Sequence, residues 1–134
     1  MASKVSILSH FNSSSYLTAL CSLCLLAERD ILTRFDHPYI MKMEYAFQDL
    51  IFIYMVMEFV NGGELFYHLH RVGDRKGFSE ERAKFYAAQI LLALDHMHSQ
   101  DVVYRDLKPE NILIDTDGFV RITDFGLSKI IQKG

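Results

Sequence analysis

The sequence predicts an α+β fold, and three observations carry that prediction. Two runs rich in aromatic and β-branched residues, 42–47 and 52–57, read as strands. The stretch from Ser79 to Ser99 repeats apolar residues at spacings of three and four, the pattern of a long amphipathic helix. Two short apolar runs, 111–114 and 119–122, flank the turn-forming segment Asp115-Thr116-Asp117-Gly118 and read as a β-hairpin.

Taken in order, residues 1–15 are Ser- and Asn-rich, without period, and are expected to lack regular structure. From Leu17 to Arg34 the spacing of Leu20, Leu23, Cys24, Ala27 and Ile31 predicts a helix. Asp36-His37-Pro38 ends it, because the residue before a proline is pushed out of the helical region. The two strands follow, and Asn61-Gly62-Gly63 reads as a turn or joint. Residues 64–71 suggest a short helix, and 72–77 a solvent loop. Ser79 suits an N-cap, with Glu80 and Glu81 opposing the dipole of the long helix. Its predicted core stripe is Ala83, Tyr86, Ala87, Ile90, Leu94 and Met97. In the hairpin, pairing Ile114 with Phe119 would bring Asn111 level with Ile122.

Composition narrows the function. The chain has 134 residues, 50% of them hydrophobic, enough for one modest core. A formal net charge of −3 with no basic block argues against nucleic-acid binding. The apolar run Leu17–Ala27 is too short to span a bilayer, and its flank holds only Lys4, a poor signal-peptide start. No membrane role is expected. Cys21 and Cys24 form a C-x-x-C with no second ligand pair for zinc, so they read as packing residues. Without a disulfide framework, a reducing, cytoplasmic compartment fits.

The chemistry concentrates in "YRDLKPEN", Tyr104 to Asn111, which sets charged groups between apolar segments. The hairpin returns the chain so that Asn111 and Asp124 approach at one end, with Asp106 and Lys108 on the loop feeding that point. An amide and a carboxylate are hard oxygen donors suited to Mg²⁺, which leans on substrate phosphates for its other ligands. A further acid to orient a hydroxyl and a lysine for phosphate oxygens complete a set for phosphoryl transfer.

"YRDLKPEN" together with "DFG" (Asp124-Phe125-Gly126) resembles the catalytic and metal-binding loops of eukaryotic protein kinases. The lysine two places after Asp106 resembles serine/threonine kinases. Tyr104, "YMVMEFVNGGELFYHL" (54–69) and "FYAAQILLALDHMHS" (85–99) resemble the AGC group, relatives of cAMP-dependent protein kinase. The resemblance runs from about Ala27 to Lys129. It implies a truncated protein kinase-like fold, with helix C, part of the N-lobe sheet, the hinge and the first half of the mainly helical C-lobe. Residues 27–134 would form this partial domain, and 1–26 a divergent Ser/Leu-rich segment.

The resemblance also implies roles. Asp106 would orient the hydroxyl and accept its proton, Lys108 would steady the γ-phosphate of ATP, and Asn111 and Asp124 would hold Mg²⁺. Met57 resembles the gatekeeper, with Glu58 and Val60 offering backbone groups to adenine, Leu113 flooring the pocket and Glu64 reaching the ribose. Glu64 and Glu110 would meet arginines preceding a target Ser or Thr in a protein substrate. Glu28 resembles the helix glutamate that pairs with the ATP-binding lysine, and Arg105 the arginine that captures a phosphorylated loop. Leu32, Met43, Tyr104 and Phe125 match the apolar stack linking the two lobes.

Two departures stand beside these matches. No G-x-G-x-x-G occurs, and no V-A-I-K-like strand is recognisable upstream of Glu28, where Lys4 is the only lysine before residue 42. The activation segment and the helices after it do not follow Gly126 in the sequence given. The expectations are a long helix with an exposed apolar face open to a protein partner, low stability, and activity of the isolated chain in question. The rival readings are a non-catalytic, kinase-derived interaction module or an incomplete gene product.

Overall fold

Strand propensity is realised first around the aromatic runs. The computed structural model describes residues 5–10, 26–49, 52–71 and 77–131, so Lys4, Cys21, Cys24 and the start of the predicted 17–34 helix lie outside it. Strand β1 spans Val5–His10, β2 Met43–Gln48 and β3 Phe52–Met57, in one antiparallel sheet of order β1-β3-β2. β1 corrects, for residues 5–10, the expectation that residues 1–15 lack regular structure, and it carries no lysine. Its isolated sequence, VSILSH, carries a weak alternation, and pairing with β3 from Val5↔Val56 to His10↔Phe52 supplies what local propensity does not.

Helix α1 occupies residues 26–32, ending slightly before the predicted Arg34. After it, Ile40 bridges Ile122, and Met41 N donates to the Ile122 carbonyl at 2.9 Å. This short contact joins the sheet side of the molecule to the hairpin.

Helix α2 covers Leu65–Arg71 and helix α3 Glu80–Ser99. The Ser79 hydroxyl caps α3 by accepting from Arg82 N, as its position predicted. The buried face differs from the predicted stripe. It is Tyr86, Gln89, Ala93 and Met97, while Ala83 and Ala87 are exposed and Ile90 and Leu94 half-buried. Gln89 explains the rotation: only 3% exposed, its amide oxygen accepts from Val120 N at 2.9 Å, and its nitrogen donates to the Phe85 carbonyl at 3.1 Å. A polar residue thus takes a core position because a buried strand N–H needs its acceptor. The opposite side of α3 leaves Phe85, Leu91 and Leu92 exposed.

Beyond α3, β4 (Val102–Val103) pairs with β7 (Lys129–Ile130). A 3₁₀ turn at Pro109–Asn111 leads into β5 (Ile112–Ile114), which pairs with β6 (Val120–Ile122). The register is Ile114↔Val120 and Ile112↔Ile122, one residue from the predicted pairing. The cause is the turn. Asp115 N donates to the Phe119 carbonyl at 2.8 Å, which closes the loop over Thr116–Gly118, with Gly118 at φ 85°. Asn111 consequently lies against Thr123, whose N–H donates to the Asn111 carbonyl at 2.9 Å.

The core has two parts. One gathers Ile31, Leu32 and Phe35 with Ile40, Ala93, Met97, Val102, Tyr104, Ile122 and Phe125. The other packs Leu65 and Tyr86 on Ile112, Ile114 and Val120. Each large side chain so buried contributes about 1.5–3 kcal/mol. Leu32, Tyr104 and Phe125 are buried in one cluster, with Met43 packed against it.

Candidate active site

Between β4 and β5 the chain leaves the core and returns, and its charged residues stay on that excursion. Tyr104 anchors its start: the hydroxyl donates to the Thr123 carbonyl at 2.5 Å, and burial pushes its ionisation well above the usual phenol value. Arg105 takes a left-handed backbone, φ 67°, and donates through Nε to the Leu127 carbonyl at 2.7 Å. The Ser128 hydroxyl donates to the Tyr104 carbonyl, so the loop is tied to the segment after Gly126 at both residues. Positive φ at a non-glycine residue costs free energy, and here these cross-links hold it.

The excursion brings Asp106, Lys108 and Asn111 together. Lys108 Nζ lies 2.7 Å from Asp106 Oδ2, and Asn111 Nδ2 donates to the same oxygen at 2.8 Å and to the Asp106 carbonyl at 3.1 Å. These bonds, that from Lys108 first, hold the Asp106 carboxyl below the usual carboxylate range, and Asp106 in turn raises Lys108. Asn111 is buried, and its amide nitrogen is committed to Asp106, which leaves its oxygen to act as a donor to a cation. Lys108→Met is therefore expected to move the Asp106 pKa upward towards the ordinary value, read by carboxyl-carbon NMR titration. A titration superimposable on that of the unaltered chain would show that Lys108 does not set the charge of Asp106.

Asp124 sits past the end of β6, exposed, also in the left-handed region at φ 60°. Its Oδ1 accepts from Gly126 N at 3.3 Å. Glu28, from α1, reaches the same place: its Oε1 accepts from Phe125 N at 3.3 Å. Burial first, and the nearby Asp124 carboxylate after it, raise the Glu28 pKa despite that hydrogen bond. Two carboxylates converging at Phe125-Gly126 form a place where a cation would be favoured. Among the described residues Glu28 has no cationic partner, and no cluster of three His, Cys, Asp or Glu side chains is arranged for a metal. The oxygen donors present, the Asn111 amide and the Asp124 carboxylate, nevertheless fit Mg²⁺ in chemistry, since that ion needs only one or two protein ligands.

The neighbouring cleft, about 460 Å³, is lined by Asn61, Gly62, Gly63, Glu64, Tyr67 and Leu113. Glu64 bridges Leu113, and Ile114 N donates to the Gly63 carbonyl at 2.9 Å. Gly62 is needed there, because a Cβ would fall 2.2 Å from the Ile114 carbonyl oxygen. Met57 packs against the core, and Val60 is half-buried. Glu58 N–H donates to the Lys42 carbonyl at 3.0 Å. Glu110 is exposed on the 3₁₀ turn. Asp106, Lys108 and Asn111 thus converge directly, Glu28, Asp124 and Phe125 form a second group, and Glu64 with Leu113 lines the cleft. Sequence reasoning missed Thr123 and Ser128, which act through local hydrogen bonds. It also missed Arg121, whose pairing with Leu113 was readable only in the correct register.

A family model described as protein kinase domain matches residues 1–134. Protein kinase 2 of Dictyostelium discoideum is 59% identical over 106 residues, 79% of this chain and 22% of that protein. A serine/threonine-protein kinase of Arabidopsis thaliana, AtPK1/AtPK6, is 52% identical over 107 residues, 80% of this chain and 22% of that protein. Human ribosomal protein S6 kinase alpha-2 is 53% identical over 102 residues, 76% of this chain and 14% of that protein. The chain spans a minor part of the length of these relatives.

Proposed function

The chain belongs to the protein kinase domain family, and from that membership we propose that it serves serine/threonine phosphoryl transfer from Mg²⁺-ATP to protein substrates. The observation that carries this reading is the triad of Asp106, Lys108 and Asn111 locked by hydrogen bonds of 2.7 and 2.8 Å beside Asp124. Its relatives include proteins named as serine/threonine-protein kinases.

In this proposal Asp106, kept ionised by Lys108, orients the substrate hydroxyl and receives its proton. A carboxylate held below the usual range is a weak base, which suits a reaction governed by positioning and charge neutralisation. Lys108 is close enough to share its ammonium between Asp106 and a phosphate oxygen. Asn111 and Asp124 would hold Mg²⁺, which when bound neutralises charge on the phosphates. The cleft at Gly62–Glu64 and Leu113 takes the nucleoside, with the Glu58 carbonyl and the Val60 backbone reading adenine and Glu64 the ribose. Glu64 and Glu110 select arginines upstream of the target residue. Glu28, on α1, would pair with a lysine that also meets the ATP phosphates. Arg105 and Phe125 serve regulation of the same centre, and the need for nucleotide favours a cytoplasmic location. The segment 1–26, whose β1 pairs into the same sheet, is the proposed divergent part, with 27–134 as the proposed partial kinase domain.

A second reading, a non-catalytic interaction module, is favoured by the exposed Phe85, Leu91 and Leu92 on α3. One experiment separates the two. The chain is incubated with Mg²⁺-ATP and a serine peptide bearing upstream arginines, and the products are weighed by mass spectrometry. Addition of one phosphate, lost in an alanine-for-arginine peptide, is the expected result. Absence of both phosphopeptide and nucleotide binding would remove the enzymatic reading and leave the module.

A further inference from the structure

We propose that Arg121 is a positioning residue for the nucleotide, clasping the segment after β3 at Glu58, the loop at Pro38 and the turn at Asp115 into one frame around the cleft. The proposal rests on the nucleotide reading above.

Arg121 lies directly opposite Leu113 in the β5–β6 ladder, so the two side chains share one face of the hairpin. Leu113 lines the nucleotide cleft, and Arg121 lines a second cleft of about 300 Å³ with Pro38, Ile40, Lys42 and Glu58. The hairpin thus meets the segment between β3 and α2 at two places. At the first, Gly62 packs on the Ile114 carbonyl. At the second, Arg121 Nε lies 3.3 Å from Glu58 Oε1, Nη2 lies 3.3 Å from Asp115 Oδ2, and Nη1 donates to the Pro38 carbonyl.

Each partner is itself held by backbone. Glu58 Oε1 also accepts from Lys42 N at 2.9 Å, while Glu58 N–H donates to the Lys42 carbonyl. Asp115 Oδ1 accepts from Asp117 N and Phe119 N at 3.0 and 2.8 Å. Tyr39, the residue after Pro38, accepts from Ile122 N. The guanidinium therefore connects three points fixed within their own segments, rather than pairing with a mobile side chain. An exposed ion pair would contribute little, but the side chains here are largely covered, at 21% exposure for Arg121, 28% for Glu58 and 18% for Asp115. Without the cation the Glu58 and Asp115 carboxylates would lose their common counter-charge. Only a planar, forked donor reaches all three directions, and a lysine reaches fewer. The group this frame would place is the Glu58 carbonyl, assigned above to adenine.

The test compares the full chain with Arg121→Met and Arg121→Lys. Affinity for Mg²⁺ with a non-hydrolysable ATP analogue is measured by calorimetry, and amide hydrogen exchange is followed residue by residue. Arg121→Met should weaken binding by about tenfold or more, with faster exchange confined to Met41 and Glu58. Arg121→Lys should fall between the two, and it supplies the answer should the methionine variant fail to fold. Unchanged affinity in a chain that binds nucleotide would overturn the clasp alone. Faster exchange spread evenly through Val103 and Ile122 would also overturn it, showing a merely structural role. Failure of the unaltered chain to bind nucleotide would overturn the nucleotide reading and the clasp with it.

Discussion

Asp106→Asn is expected to lower phosphoryl transfer by roughly 10²- to 10⁴-fold, the usual contribution of a positioned general base. Nucleotide affinity should change little. The asparagine keeps an oxygen where Asp106 Oδ2 accepts from Lys108 and Asn111, so the loop retains an acceptor for both donors. What disappears is the charge. Lys108, now without its anion, would lose the interaction that raises its pKa, and the hydroxyl of the substrate would have no acceptor for its proton. Initial rates of phosphopeptide formation, measured beside calorimetric affinity, check both halves. Transfer within threefold of the unaltered chain would mean that Asp106 is not the base, and equal inactivity of both proteins would favour the interaction module.

Most of this site was legible in sequence because its parts are close along the chain. Asp106, Lys108 and Asn111 are five residues apart end to end and are joined by local hydrogen bonds, so reading them as one loop feeding one point needed no distant partner. The same holds for the Ser79 cap and for β3, whose bounds match the predicted run. What was not legible depended on partners distant in sequence. β1 exists because β3 offers an open edge, and VSILSH alone carries no signal strong enough to announce it. Gln89 looks like a surface residue in a helical wheel, yet Val120 N–H, 31 residues away, draws it inward. The hairpin register failed by one residue because the Asp115 side chain, accepting from Asp117 N and Phe119 N, selects a longer closure than a two-residue turn. Arg121 was lost with it, since its role follows from standing opposite Leu113.

Phe125→Ala should be the most destabilising single change in the core, by about 3–5 kcal/mol in urea unfolding, against under about 1.5 kcal/mol for Phe125→Leu. The ring is 1% exposed and packs edge-on to Tyr104 at 5.2 Å and tilted against Phe35 at 5.7 Å. It joins α1 to the loop that carries the charges, and its loss opens a cavity between them. The effect should extend to pH. Phe125 stands beside Glu28, whose raised pKa stems first from burial. A carboxyl raised in the folded state favours folding when protonated. Its contribution is complete below the ordinary carboxylate value and is lost as pH rises through the raised value. Stability of the unaltered chain should therefore decline across that window, and in Phe125→Ala, where water reaches Glu28, the decline should flatten. Urea midpoints taken at several pH values measure both effects together. A loss below about 1 kcal/mol, or a pH slope identical in the two proteins, would mean that Phe125 neither bears the core nor buries Glu28. The packing that links α1 to the 104–111 loop would then have to be sought in Leu32 and Tyr104.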